Sequence, residues 1–147
     1  MKKILSVGMA VLMLALCTVT AFADEMKIST HADQEMYEIV YPADTVIPWE
    51  AQSQELGSVT ATKMLISPGK TVVITVTSEN EFKMINSTDA ANTIAYTLSG
   101  TDAIAFLPGE YGKSFPVSAN VAESEWRQAV AGEFSDILTF TAECVEA

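Results

Sequence analysis

The stretch SVTATKMLISPGKTVVITVT, residues 58–77, decides the fold class of this chain. Both of its ends are rich in valine, isoleucine and threonine, and in the second half the residues alternate as they do in a half-buried β-strand. In the middle, Pro68 and Gly69 offer the fixed φ and the positive φ that a type II turn requires. The stretch therefore predicts an antiparallel hairpin with strands over 58–65 and 71–77.

The same two-residue period recurs along much of the remaining chain. It predicts a strand from Tyr37 to Tyr41 that Pro42 ends, and a short piece over 46–49 that Pro48 interrupts. Further strands are expected over 82–86, 93–98, 103–107, 115–121 and 136–143. Alternate residues of these strands are predicted to face the core, namely Tyr37, Ile39, Tyr41, Val72, Ile74, Val76, Ile94, Tyr96, Leu98, Phe115, Val117, Ala119, Val121, Leu138, Phe140 and Ala142.

One short helix is predicted before the last strand, from Ser124 to Val130. Ser124 is a good N-cap residue, Trp126 and Val130 lie one turn apart, and Gly132 is a suitable end. At least seven short strands with one helix indicate an all-β chain, an antiparallel Ig-like β-sandwich in architecture. A closed barrel is the main alternative.

The first 23 residues have the pattern of a secretory signal peptide. Lys2 and Lys3 precede an apolar run that is too short to span a bilayer comfortably, and Ala21-Phe22-Ala23 is a small-x-small cleavage pattern. We expect a signal peptide over 1–23, then a flexible leader, or at best an edge strand, over 24–35, and a sandwich domain over 36–147. The protein is therefore expected to be secreted or associated with the cell surface, with no membrane span after cleavage. A lipobox at Leu14-Ala15-Leu16-Cys17 is the less favoured alternative, because Leu16 is large.

The charge of the chain restricts its partners. There are 19 acidic and 8 basic residues, a formal net charge of −11 at pH 7, and removal of Lys2 and Lys3 would make it −13. Such a charge disfavours binding to nucleic acid or to an anionic membrane, and leaves a glycan, a protein or a divalent cation. Oxygen ligands for calcium occur at residues 86–92 and at Asp102, but no calcium-loop pattern is present. We therefore predict no metal site and no cofactor, while the sequence leaves open whether these loops bind calcium.

The residues of common catalytic sites are few. His31, the only histidine, lies in the predicted leader, which cannot hold a general base in place, so a catalytic triad and a zinc site are not expected. Cys144 continues the inward face of the last strand and is expected to be a buried thiol, or alternatively the site of an intermolecular disulfide. We predict that the chain is not an enzyme.

Three aromatic residues are candidates for ligand binding, because aromatic faces stack on the apolar side of sugar rings. These are Trp49, Tyr111 and Trp126. Trp126 is expected instead to pack its helix over one end of the core. Trp49, between Pro48 and Glu50, is the best candidate for an exposed ring.

Segments 37–42, 57–78 and 126–143 together resemble small secreted Ig-like β-sandwich surface proteins of Gram-positive, gut Firmicutes-type bacteria. The shared motifs are a Y-x-I-x-x-P strand, a G-S-V-x-x-T…P-G-K-T-V-x-V-x-V hairpin and a closing W…A-x-A-G-x-Y-x-D-x-L-T-F-T, in which Phe134 stands in place of the usual tyrosine. The closing run also resembles, more distantly, the last strand of fimbrial subunits. No L-P-x-T-G sorting motif is present.

The resemblance implies a surface-associated sandwich without enzymatic activity. We expect an adhesion or binding module. The alternative is a structural, pilus- or coat-like subunit that assembles when the leader, residues 24–35, adds a strand to a neighbouring molecule. The sequence leaves the oligomeric state open.

Overall fold

A computed structural model describes residues 16–19, 26–32 and 34–147. The elements of the described chain are β1 (Leu16–Val19), β2 (Met26–Ser29), β3 (Met36–Val40), β4 (Ser53–Leu65), β5 (Lys70–Ser78), β6 (Lys83–Asn86), β7 (Thr93–Ala95), β8 (Thr97–Ser99), β9 (Ile104–Phe106), β10 (Ser114–Asn120), α1 (Glu123–Gln128), β11 (Phe134–Ser135) and β12 (Leu138–Glu146). Within these ranges, no helix has the length and apolar character needed to cross a membrane.

The strands pair into antiparallel sheets. The largest has the order β3-β4-β10-β8, and its inner face shares a core with the sheet β12-β5-β9. The sheet β11-β6-β7 extends the second layer, and β1 pairs with β2. The sheets formed by the described residues do not close into a barrel. The prediction of an all-β sandwich with one short helix is therefore confirmed.

Two neighbouring apolar cores fill the sandwich. The larger lies between the two main sheets, and Ile39, Val59, Val72 and Phe106 are wholly buried in it. The smaller lies between β7, the end of β10 and α1, and contains Ile94, Tyr96, Ala119, Val121 and Trp126. The predicted inward faces are confirmed, since those residues are buried or half-buried in one of the two cores.

The predicted hairpin over 58–77 is wrong in its pairing. The turn itself forms, because the Lys70 N–H donates to the Ser67 carbonyl at 3.2 Å and Gly69 has a φ of 85°. However, β4 pairs with β3 and β10, whereas β5 pairs with β12 and β9. The connection therefore crosses from one sheet to the other. Because β4 and β5 lie in sheets that face each other, the apolar face of each strand packs against the opposite sheet. If the two strands were paired within one sheet, their apolar faces would lie side by side and neither would cover the other.

Two other predicted strands differ from the structure. No strand forms over 46–49, where Pro48 has no N–H to donate to a ladder. The single strand expected over 93–98 divides at Tyr96, so that β7 pairs with β6 and β8 pairs with β10. One strand thus contributes to both layers of the sandwich.

The helix is confirmed, but its ends are not those predicted. It begins at Glu123 and ends at Gln128, so Ser124 lies inside it, and Ala122 at the N-cap makes no side-chain capping bond. Val130 lies beyond the helix and is exposed, so it does not share the buried face of Trp126. Trp126 is the buried residue through which the helix packs against the smaller core.

The predicted leader contains an ordered strand in the described chain. β2 pairs antiparallel with β1, which lies in the predicted signal peptide, and all four β2 residues are exposed. β1 and β2 form a two-stranded sheet of their own, and β2 is not an edge strand of either main sheet. The cleavage pattern at 21–23 and the basic residues before it lie outside the described residues.

Tyr41 provides a test of the packing. Its hydroxyl is buried and has no hydrogen-bond partner among the described residues, and its ring lies 5.5 Å from the Phe140 ring, centroid to centroid. Tyr41→Phe keeps the ring contact and removes the desolvated hydroxyl, so the free energy of unfolding should rise by about 1 kcal/mol. Urea denaturation measures the change. Tyr111→Phe, at an exposed position, is the control, and a loss of stability in Tyr41→Phe would show that the hydroxyl has a partner.

Candidate functional site

Trp49 lies in a tight turn at one end of the sandwich. The Ala51 N–H donates to the Pro48 carbonyl at 3.0 Å, and Glu50 adopts a φ of 66°, in the left-handed region. The Trp49 ring centroid lies 5.0 Å from that of Trp126 and 6.5 Å from that of Phe134. Trp49 is 53% exposed. The turn therefore leaves about half of a large aromatic side chain exposed to solvent.

Trp126 packs against this turn from the interior of the protein. It is only 7% exposed, and its indole Nε1–H donates to the Ala51 carbonyl at 2.9 Å. The helix that carries it is fastened to β7, because the Glu125 carboxylate accepts a hydrogen bond from the Ala95 N–H at 2.9 Å. Trp49 therefore packs against buried Trp126. The Trp126 ring is hydrogen-bonded to the turn, and its helix is hydrogen-bonded to β7.

A cleft of about 420 Å³ opens beside the two tryptophans. We call it the tryptophan cleft. Its walls are mainly apolar. Among the residues that the structure describes, the charged side chains of the cleft are Glu133 and Asp136, and no lysine, arginine or histidine lines it. The lining residues are Thr45, Val46, Ile47, Trp49, Leu56, Met84, Ile94, Tyr96, Ala119, Trp126, Gly132, Glu133, Phe134, Ser135, Asp136 and Leu138.

Asp136, in the wall of the cleft, accepts hydrogen bonds from several distant parts of the chain. Its Oδ2 accepts from the Ser78 hydroxyl at 2.5 Å and from the Tyr96 hydroxyl. Its Oδ1 accepts from the backbone N–H of Asn80 at 3.2 Å, from the Asn80 side-chain amide at 3.0 Å and from the Ile137 N–H at 2.8 Å. This carboxylate therefore joins the end of β5, the β7–β8 junction and the start of β12.

These bonds change the ionisation of both acidic groups. Burial by itself would raise the pKa of Asp136, but the donors from Ser78, Tyr96 and the backbone outweigh burial and hold its pKa below the ordinary 3.8. Burial, and the hydrogen bond to Asp136, raise the pKa of the Tyr96 hydroxyl far above its ordinary value. At neutral pH, Asp136 is a carboxylate and Tyr96 remains a hydrogen-bond donor.

A smaller polar groove, of about 310 Å³, lies on the other side of Trp126. Glu50, Gln52, Glu123 and Arg127 line it. The Arg127 guanidinium pairs with the Glu123 carboxylate at 2.5 Å, and both side chains are well exposed. A surface pair of this kind contributes little to stability.

The structure brings together two of the three predicted aromatic residues. Trp49 and Trp126 are in contact, but Trp126 is buried, as its helix-packing role required. Tyr111 is exposed near the start of β10, whereas Trp49 lies near the end of that strand, where Asn120 pairs with Ser53. Six strand residues separate these ends, a length of about 20 Å. The three rings therefore do not form one platform.

Phe134 and Asp136 belong to the cleft and were not predicted as site residues. Phe134 occupies the aromatic position of the closing motif, which is the only signal the sequence offered for it. Asp136 occupies the aspartate position of the same motif, but nothing in the sequence indicated its partners, because Ser78, Asn80 and Tyr96 lie 40 to 58 positions away. Its surroundings exist only in the folded chain.

The other candidate groups lie elsewhere. His31 is exposed. Cys144 is a free, half-buried thiol that packs against the larger core, in agreement with its predicted inward face, and burial raises its pKa. Among the described residues, no three His, Cys, Asp or Glu side chains form a group that could hold a metal ion. In the 86–92 loop, the Asp89 carboxylate is used by the loop itself, since it accepts from Ala91 N–H and the Asn92 amide.

Comparisons of the chain with family models, with curated proteins and with solved structures gave no match.

Replacement of Asp136 tests its structural role. Asp136→Asn keeps the shape but loses the charge that strengthens the bonds from Ser78, Tyr96 and Asn80, so the free energy of unfolding should fall by about 2 kcal/mol at pH 7. Because the folded pKa lies below the ordinary value, this stabilisation is present above about pH 4 and is lost as the pH falls through the folded pKa. The difference between wild type and variant should therefore shrink in acid.

Chemical denaturation between pH 2.5 and pH 7 measures this difference. Asp102→Asn, at an exposed position, is the matched control and should change stability by no more than about 0.5 kcal/mol. A wild-type-minus-variant difference that stays constant down to pH 2.5 would exclude the proposed role of the charge.

Proposed function

We propose that this protein is a secreted or cell-surface-associated, non-enzymatic β-sandwich that acts as an adhesion or binding module, with the tryptophan cleft as its binding surface. The observation that carries the proposal is the half-exposed ring of Trp49 beside an apolar cleft. An exposed aromatic ring next to a concave, mainly apolar surface is a common arrangement for ligand binding. Export and the likeness to small surface proteins of Gram-positive bacteria form part of the proposal.

The rigidity of the site supports a binding role. Trp49 packs on a buried ring, and the turn that carries it is hydrogen-bonded to that ring through Ala51. A ligand would therefore find the aromatic surface already in place and would lose little free energy in ordering it. A preformed surface of this kind favours a ligand whose shape is complementary to it, rather than binding that is coupled to folding of the site.

The chemistry of the cleft is consistent with binding rather than catalysis. Asp136 is committed to hydrogen bonds that hold the fold, and the Tyr96 hydroxyl is kept protonated by its raised pKa. Neither group is set up to exchange a proton with a substrate near neutral pH. The partner we propose is a glycan or a protein at the cell surface, and the net charge of −11 is unfavourable for nucleic acid.

Removal of the exposed ring tests this function. Purified wild-type protein is screened on glycan and peptide arrays, and each ligand found is titrated against Trp49→Ala. We expect roughly thirtyfold weaker binding, because loss of a central aromatic residue typically costs about 2 kcal/mol or more. Tyr111→Ala, which removes an exposed ring at the other end of β10, should bind like the wild type. If Trp49→Ala binds every ligand as the wild type does, the cleft is not the binding surface.

Assembly by strand addition is the second candidate function, and the exposed strand β2 favours it. Met26 and Ile28 lie at alternate positions of this strand and are 62% and 69% exposed. Its strand partner β1 lies in the predicted signal peptide, so cleavage would leave β2 with both edges open. A groove of about 490 Å³ lies between the edge strands β8 and β9, and its apolar walls include Val76, Phe82 and Leu98. These features would suit a donor strand and its acceptor.

Light scattering across protein concentration distinguishes the two functions. A subunit should form oligomers that grow with concentration and disappear when residues 24–35 are deleted. The double variant Met26→Ser, Ile28→Ser, which keeps the length of the chain, should abolish them as well, because it removes the apolar side chains from β2. A monomer at every concentration, with and without reductant, would rule out assembly by this strand and through Cys144.

A further inference from the structure

The tryptophan cleft combines aromatic walls with charge of one sign. We infer that it binds a small organic cation whose nitrogen carries alkyl groups, that is, a quaternary ammonium compound. This inference rests on the proposed function, since it names the class of ligand for the same cleft. Three features of the cleft support it.

The aromatic rings meet at an angle rather than in a stack. The plane of Trp49 is inclined by 57° to that of Trp126 and by 43° to that of Phe134. Inclined rings form a corner, all three rings line the cleft, and Trp49 is 53% exposed. The faces of aromatic rings carry negative electrostatic potential, which attracts a cation at close range, and corners of aromatic rings are a known means of holding alkylated ammonium groups.

The charge of the cleft selects a cation. Glu133 and Asp136 are its charged residues, and both are acidic. Among the described residues, no lysine, arginine or histidine forms an ion pair with Asp136; its partners are the neutral donors of Ser78, Asn80, Tyr96 and Ile137. Its negative charge is therefore hydrogen-bonded but not neutralised. In a partly buried apolar site such a charge acts on a ligand with less screening than in water.

The hydrogen bonds of Asp136 favour an alkylated nitrogen over a protonated amine. Its two oxygens already accept five hydrogen bonds, which exceeds the roughly four lone-pair positions of a carboxylate. A primary ammonium or a guanidinium would bring three to five N–H groups that need acceptors; Asp136 has none to spare, which leaves the exposed Glu133 as the charged acceptor of the cleft. A quaternary ammonium has no N–H group. It gains from the electric field and from apolar contact alone.

The size of the cleft fits a free small molecule. Its volume of about 420 Å³ lies within the ordinary range of small-molecule sites, about 300 to 1,000 Å³. Ile47, Met84 and Leu138 offer apolar surface to the alkyl groups. We therefore commit to a free small molecule as the occupant, and treat a lipid head group of the same chemistry as an outcome of the test.

Choline and its neutral isostere 3,3-dimethylbutan-1-ol test the inference directly. The two molecules have nearly the same shape and differ by one charge. Each is titrated into the purified protein while the indole N–H signals of the two tryptophans are followed by NMR. We expect saturable binding of choline that shifts the Trp49 signal, and roughly tenfold weaker binding of the neutral alcohol. n-Butylammonium, which carries a primary ammonium, should also bind roughly tenfold more weakly.

Matched variants locate the binding. Trp49→Leu keeps an apolar side chain but removes the aromatic face, and should weaken choline binding roughly tenfold. Glu133→Gln should weaken it roughly twofold, because this carboxylate is exposed and screened. Tyr111→Leu should bind choline like the wild type. Thermal melting of each variant confirms that it is folded.

Several outcomes would overturn the inference. Equal affinity for choline and the neutral alcohol would show that charge plays no part, and tighter binding of n-butylammonium would show that a hydrogen-bonding cation is preferred. Binding to phosphatidylcholine vesicles without binding to free choline would replace the small molecule with a lipid surface. If choline does not bind while an array ligand depends on Trp49, the ligand class is wrong and the proposed function stands. If no ligand depends on Trp49, both are wrong.

Discussion

The hydrogen bonds of the Asp136 carboxylate hold together the end of the molecule that carries the tryptophan cleft. The carboxylate receives five hydrogen bonds from the end of β5, the β7–β8 junction and the start of β12. Hydrogen bonds to a charged acceptor contribute about 1.5 to 3 kcal/mol each, roughly twice the value for neutral pairs. The end of β5 and the start of β12 already pair with each other, Ser78 opposite Leu138, so what the carboxylate adds is a link from this ladder to the β7–β8 junction at Tyr96. The carboxylate also places a negative charge in the wall of the tryptophan cleft.

The two cores explain why the site lies at one end of the sandwich. Leu56 and Leu138 pack against both cores and make them continuous. Next to Leu56, Gly57 has a φ of 123°, and the register between β4 and β10 shifts there, which is a β-bulge. Beyond the bulge, the large sheet no longer faces β12-β5-β9 but faces β7 and α1. The smaller core thus forms a separate end of the molecule, and the turn that carries Trp49 closes it.

The proposed binding function follows from how this end is built. Trp126 fills the smaller core and fastens the Trp49 turn through Ala51, so one buried residue both stabilises the fold and orients an exposed one. In the described part of the chain, the cleft beside it combines preorganised aromatic surface with two acidic groups and no basic one. Such a combination favours cations over anions, in keeping with the acidic chain as a whole. The ligand class that we infer is the simplest one that these properties share.

The sequence by itself determined which residues face inward, because that depends on a local period of two that each strand carries within itself. It likewise determined the turn at Pro68 and Gly69, the helix around Trp126 and the exposure of Trp49. Only the tertiary structure decided which strands pair, and the hairpin predicted over 58–77 divided between two sheets for that reason. Pairing depends on which distant apolar face covers each strand. The sequence did not predict the surroundings of Asp136 for the same reason, since its partners Ser78, Asn80 and Tyr96 lie 40 or more positions away and meet it only in the folded chain.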